Sequence, residues 1–273
     1  MKRLITISGF IGITLLAINI AGFFIPLKNP AIYQEQKTGF VNDTTLTYEE
    51  ALKLLDTTPS QDTKEYVQNV NKIINQSIAH YWEDEGISKY RLTIPPYENY
   101  VLFSLRFIFP SIYEKYEYCS YDKALKRGVG LCSQHAIVIT DFLNKKGLET
   151  RIVGLDGHVV ATVKVDKDEW WILDPDFGVV IPYNLQKIES SPELVKSYYA
   201  KVAYKNKPIY PETLENIYEA RGNIIYPVGV SGYTDCNWKK VIIERSSYIL
   251  KWLIPILLTT PLVYSMIRKR HAR

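Results

Sequence analysis

Residues able to do thiol or metal chemistry are scarce in this chain: its 273 residues include three cysteines and four histidines. Among them only Cys132 and His135 stand at ligand spacing. Structural zinc wants four ligands and catalytic zinc usually three, so a single C-x-x-H pair gives no metal site. His135 is expected to be a packed residue one turn into a helix, and neither a metal nor a cofactor is expected. A large excess of one charge is missing too. The net charge of +4 is small and spread along the chain, which argues against nucleic acid as a partner. No internal repeat and no long low-complexity stretch is present, which leaves an ordinary globular domain long enough to bury a core.

Charge is absent altogether from Leu4 to Leu27. A membrane-spanning helix needs about 20 apolar residues, whereas the apolar part of a signal peptide has only about 7–15. No A-x-A site follows, so an uncleaved anchor is expected over residues 4–27. A second apolar run covers residues 248–267, broken by Lys251 near one end, where a lysine can snorkel to the headgroups. Pro255 and Pro261 lie inside it, as membrane helices tolerate. Lys2 and Arg3 at one end, and Arg268, Lys269, Arg270 and Arg273 at the other, place both termini in the cytoplasm. The intervening domain is then extracytoplasmic. In an oxidising compartment Cys119 and Cys236 are candidates to pair, leaving Cys132 as the reactive odd thiol; two buried free thiols are the alternative.

Between the two runs, one stretch carries the chemistry. It reads RGVGLCSQHAIVITDFLNKKG from Arg127, and continues through GHVVATVKV to WWILDPDFG, ending at Gly178. Gly128 and Gly130 let the backbone turn tightly into a helix over Ser133 to Asn144, whose Ala136, Ile137, Ile139, Phe142 and Leu143 form a broad apolar face. Gly147 supplies the left-handed residue after its last turn. Cys132 thus opens a buried helix, and a helix N-terminus favours the thiolate form of a cysteine. His158 begins a β-branched run and Asp174 ends a Trp-Trp-Ile-Leu run. With a turn over Asp166 to Glu169, the two fall on adjacent antiparallel strands. A histidine that takes the thiol proton, oriented by an aspartate behind it, is the arrangement of a thiol-nucleophile triad.

The order Cys132, then Gly157-His158-Val159, then Trp171-Ile172-Leu173-Asp174-Pro175, with Arg127-Gly128 ahead of the cysteine, resembles the transglutaminase-like superfamily of papain-like cysteine enzymes. The resemblance covers about a third of the chain. It implies an α+β fold with helices packed on a small antiparallel sheet, and Cys132, His158 and Asp174 as catalytic residues. It also implies cleavage or transfer of an amide or peptide acyl group on a protein or peptide substrate. Many relatives carry an aromatic after the histidine, in the order H-A-W, where this chain has Val159-Val160, which weakens any transfer of substrate preference. The backbone N–H of Cys132 is one expected oxyanion donor. Tyr118, Tyr121 and Gln134 are candidates for the second.

The remaining segments supply walls and core. Thr47 to Glu50 fits a capping box opening a short helix. A helix is expected over Asp62 to Trp82, with His80 structural, and a loop over Ser88 to Asn99. A buried helix is expected over Tyr100 to Phe109, followed by a cleft wall at Tyr113 to Tyr118 and a helical turn over Asp122 to Lys126. Helices over Pro192 to Val202 and Pro211 to Arg221 and an irregular stretch over Ile224 to Cys236 complete the chain. The expected parts are an anchor (4–27), an N-terminal helical part (28–98), a catalytic core (99–180), a C-terminal part (181–247) and a second anchor (248–267). Two other functions fit the same residues. One is a binding or scaffolding protein that has kept the fold and lost activity, for which an unactivated thiol titrating near ~8.5 would speak. The other is an assembly factor whose spans pair with other membrane proteins.

Overall fold

The computed structural model describes residues 2–30, 44–81, 87–200, 211–219 and 222–271. In chain order the elements are α1 (Lys2–Ala21), α2 (Tyr48–Thr57), α3 (Thr63–Asn75), β1 (Ala79–His80), α4 (Pro96–Leu105), α5 (Pro110–Tyr113), α6 (Tyr121–Arg127) and β2 (Val129–Gly130). They continue with α7 (Cys132–Lys145), β3 (Thr150–Leu155), β4 (His158–Asp166), β5 (Glu169–Asp174), β6 (Val179–Ile181) and α8 (Leu185–Ser190). A 3-10 turn (Pro192–Val195), α9 (Lys196–Tyr199), α10 (Pro211–Glu219), β7 (Ile224–Val228) and α11 (Trp238–His271) complete the chain. The mixed α+β class and the small antiparallel sheet match expectation.

The chain forms two compact units, one of residues 1–27, 93–116 and 242–273 and the other of residues 28–92 and 117–241. This differs from the expected division. Residues 93–116 belong with the terminal helices rather than with the domain around Cys132, because their aromatic side chains pack on those helices: the Tyr100 hydroxyl donates to the Lys251 carbonyl at 3.2 Å and that of Tyr116 to Glu244 at 2.8 Å. The expected cleft wall over Tyr113 to Tyr118 is therefore split between the units.

In the first unit, α1 and α11 are long and apolar enough to cross a membrane, and only 17% and 6% of their apolar windows are buried, unlike core helices. They run antiparallel, with Gly9 against Leu262, Gly12 against Thr259 and Asn19 donating to the Lys251 carbonyl. Glycines let the two backbones approach where apolar solvent offers no hydrophobic drive. The second helix begins ten residues before the expected run and continues unbroken through Pro255 and Pro261.

In the second unit the sheet has the order β6-β5-β4-β3-β7, antiparallel throughout. One face carries Ile152 against Ala136 and Ile137 of α7. The other carries Val153, Val160 and Ile172, covered by Leu185, Ile188, Val195, Tyr199, Leu214 and Tyr218. Three expectations are corrected here. Helix α3 stops at Asn75, and Ala79–His80 instead pairs in parallel with Val129–Gly130. Ile224–Val228, expected to be irregular, adds an edge strand to β3, its β-branched residues prevailing over the neighbouring glycines. The expected loop before Tyr100 gives way to α4 from Pro96, proline being favoured in a first turn. The capping box at Thr47 and Glu50 forms as expected. The far ends of three expected helices, at residues 82, 201–202 and 220–221, lie outside the described residues.

Candidate active site

The approach to Cys132 is fixed before the helix begins. Gly128 closes α6 in the left-handed region at φ 66°, and the next residues are pinned when Ala79 N–H donates to Gly128 O at 2.9 Å and Tyr81 N–H to Gly130 O at 2.7 Å. Arg127 is fully buried. Its guanidinium donates to Val129 O at 2.9 Å and to Gln134 Oε1 at 2.8 Å. Gln134 also accepts from Tyr118 N–H and donates to Tyr118 O, both at 2.8 Å. This amide is committed to tying the Tyr118 segment to the helix start, so Gln134 is not the expected oxyanion donor. Tyr121 is not one either: its ring packs on Phe142, 5.3 Å between centroids, ten residues and about 15 Å along α7 from Cys132. The Tyr118 ring lies 5.1 Å from the Arg127 guanidinium.

Cys132 is the first residue of α7, and its N-cap, Leu131, has no side chain to satisfy the first-turn N–H groups. The sulfur is half-buried and is the free thiol of the chain, because Cys119 and Cys236 form a disulfide with their Cα atoms 5.5 Å apart. That bridge lies in the core cluster of Ala136, Ile137, Ile152 and Tyr233, beside the first two turns of α7. One residue on in the chain, Ser133 donates to the buried Glu117 at 2.7 Å. Burial pushes the Glu117 carboxyl above its ordinary value against the opposing pull of Ser133, Lys240 and Arg127.

His158 follows a two-residue Asp156-Gly157 turn, in which Gly157 takes φ 83°. This is a tight hairpin signal that the sequence carries in plain view. The Ala161–Leu173 register of β4 and β5, continued one step, sets Asp174 opposite Val160. His158 then lies two residues on, on the same face. The His158 Nε2 is 2.8 Å from Asp174 Oδ2, leaving Nδ1 for the sulfur. One ring nitrogen of His158, Cys132 Sγ and an oxygen of Asp176 lie within 4.8 Å of one another. Burial disfavours charge on the ring, but the Asp174 carboxylate, together with the Cys132 sulfur, outweighs it and holds the His158 pKa well above 6.5. The Phe177 ring meets the imidazole edge-on at 5.2 Å and fixes its plane.

Asp174 is fully buried. Besides His158 it accepts from the Tyr199 hydroxyl at 2.7 Å and the Phe177 N–H at 3.2 Å, and Tyr199 contacts the Tyr218 hydroxyl at 3.0 Å. Burial first, then the Asp174 charge, raise the Tyr199 pKa well above 10.0. The hydroxyl therefore stays protonated and donates. Neither tyrosine has a sequence signal for this role; both read as helical core positions.

The Asp174–Gly178 turn is itself clamped. Asn75, the last residue of α3, donates to Pro175 O at 2.9 Å and Asp176 O at 3.0 Å. Asp176 is a second buried carboxylate, on the sulfur side of the imidazole. His80 Nδ1 lies 2.8 Å from both of its oxygens, and His135 Nδ1 lies 3.7 Å away. Burial opposes its charge, but the two histidines outweigh burial and hold its carboxyl well below 3.8. His80, expected to be structural, thus stands in the second row of the site. His135 packs as expected, with its ring nitrogens at Leu131 O and Ile78 O. Asp176, two residues past Asp174 in a D-P-D run, was legible as a carboxylate but not as a neighbour of Cys132. The three sequence-predicted residues, Cys132, His158 and Asp174, are brought together, on the order sulfur, imidazole, carboxylate. Compared with protein-family models, with curated proteins and with solved structures, the chain finds no match in any of the three.

Proposed function

We propose that the chain is a membrane-anchored cysteine enzyme that cleaves or transfers an amide or peptide acyl group, of the transglutaminase-like kind its motif order resembles. The observation that carries this reading is the position of His158 between two partners, with Asp174 Oδ2 2.8 Å from its Nε2 and the Cys132 sulfur within 4.8 Å of a ring nitrogen. The thiol proton passes to His158, and the sulfur attacks the substrate carbonyl. The amine leaves with that proton, and a Cys132 thioester remains. Water then gives a peptidase or amidase, and an amine gives acyl transfer; either loses its proton to His158 as the sulfur departs. The first-turn N–H groups of α7, which no N-cap side chain engages, are the proposed oxyanion donors.

The anchoring part rests on the two long apolar helices and on basic residues at both termini. The Cys119–Cys236 disulfide supports an extracytoplasmic position for the domain, since such bonds persist in oxidising compartments. It also makes the test clean. Iodoacetamide at near-neutral pH, without reductant, is expected to alkylate the full chain in detergent at Cys132 alone. Cys132→Ala should abolish labelling, and equal labelling of the variant would end the reading. A scaffolding protein without activity is the second reading, favoured by the commitment of Gln134 and Tyr121 elsewhere, which leaves the oxyanion to backbone donors. Its mark is alkylation no faster than that of a small-molecule thiol at the same pH.

A further inference from the structure

We infer that Cys132, His158 and Asp176 form a binding site for a zinc-class divalent cation, and that a bound cation silences the thiol. The triad needs one carboxylate, Asp174, on the far side of the imidazole. The second buried carboxylate, Asp176, is left with the sulfur on the near side, with the three donor atoms within 4.8 Å of one another. Donors around a tetrahedral zinc lie about 3.5 Å apart for bonds of about 2.0–2.3 Å. Closing the present triangle takes shifts on the order of 1 Å. One sulfur, one imidazole nitrogen and one carboxylate oxygen suit zinc and its borderline relatives, whereas calcium and magnesium prefer oxygen alone.

The supporting groups are those a metal site requires. A ligating histidine is oriented by a carboxylate on its other nitrogen, and His158 has Asp174 there at 2.8 Å. A ligating carboxylate is itself held by a donor, and Asp176 has His80 at 2.8 Å. Cys132 is the half-buried member of the trio, while His158 and Asp176 are buried. Electrostatics point the same way: a thiolate beside a buried carboxylate is a like-charge pair, and a dication between them relieves it. Binding exchanges the thiol proton for the metal, so Cys–SH and Zn²⁺ give Cys–S–Zn⁺ and H⁺. The sulfur lone pair needed for attack on a carbonyl is then engaged.

The test is a cobalt titration of the full chain in detergent. One equivalent of Co²⁺ is expected to produce a thiolate-to-cobalt charge-transfer band. The band should vanish in Cys132→Ser, and in Asp176→Asn it should need at least about tenfold more cobalt. Asp176→Glu should restore part of the affinity. Zn²⁺ should abolish the cobalt band and slow iodoacetamide labelling of the wild type. No band in the wild-type protein, which requires no variant to fold, overturns the site, and so does an unchanged titration in a folded Asp176→Asn. Labelling without metal reports separately on the acyl-transfer reading. Slow labelling with an intact cobalt band removes that reading and keeps the cation site, and brisk labelling with no band does the reverse.

Discussion

His158 carries a positive charge most easily with the Asp174 carboxylate beside it, and that carboxylate is held in place by the Tyr199 hydroxyl at 2.7 Å and the Phe177 N–H at 3.2 Å. Replacing the carboxylate by an amide keeps the shape and removes the charge. In Asp174→Asn the burial that disfavours an imidazolium is left unopposed on that side, so the His158 pKa falls. The pH at which Cys132 becomes reactive then moves, and alkylation at neutral pH should slow at least about tenfold, the equivalent of one pKa unit. A rate profile from acid to alkaline pH checks this, and an unshifted profile would show that Asp174 does not govern the imidazole. Cys132, His158 and Asp174 were all legible in the sequence, because a cysteine after glycines and a histidine and an aspartate at strand ends are local features. Tyr199, His80 and Asn75 were not. Each acts on a residue roughly 25 to 100 positions away, and no spacing rule reaches that far.

At the scale of elements, the Asp156-Gly157 turn decides where β4 starts and hence where His158 points. Gly157 has φ 83° and open space around its Cα. A side chain there meets no clash but must adopt a left-handed conformation, at about 1–2 kcal/mol. Gly157→Val should lower stability by that amount, read from a denaturation curve, and should slow labelling of Cys132, because the strained turn feeds into the residue that ends it. Valine tolerated in both measurements would show that the turn does not set the site. The Cys119–Cys236 bridge closes a separation of 117 residues. Its loss should cost about 2–5 kcal/mol. Denaturation of the wild type and of the Cys119→Ala, Cys236→Ala double variant measures the difference directly, and coincident curves would remove the bridge from any role in stability.

For the molecule as a whole, the site predicts how stability depends on pH. His158 is raised in the folded state, so its contribution is complete below the unfolded value of 6.5 and is lost as pH rises through the higher folded value. Asp176 is depressed, so its contribution is complete above 3.8 and is lost as pH falls toward the lower folded value. Both are present in the window between those two ordinary values. Denaturation midpoints of the full chain in detergent should therefore decline on either side of it, with Asp174→Asn flattening the alkaline side and Asp176→Asn the acid side. A wild-type midpoint independent of pH above 6.5 would contradict the assignment for His158.

Short-range physics made four features readable along the chain: two charge-poor runs, a glycine-led helix opening on Cys132, a hairpin joining His158 to Asp174, and the α+β class. Periodicity, capping and turn chemistry act within a few residues, so they are readable from neighbours in the chain. Packing across the fold decided that residues 93–116 leave the unit around Cys132, that Ile224–Val228 becomes an edge strand, and that Cys119 meets Cys236. It also decided that a second aspartate, flanked by His80 and His135, faces the sulfur. Those outcomes depend on which buried surfaces find each other and on how buried charges are balanced, and both are properties of the packed fold rather than of any window of sequence.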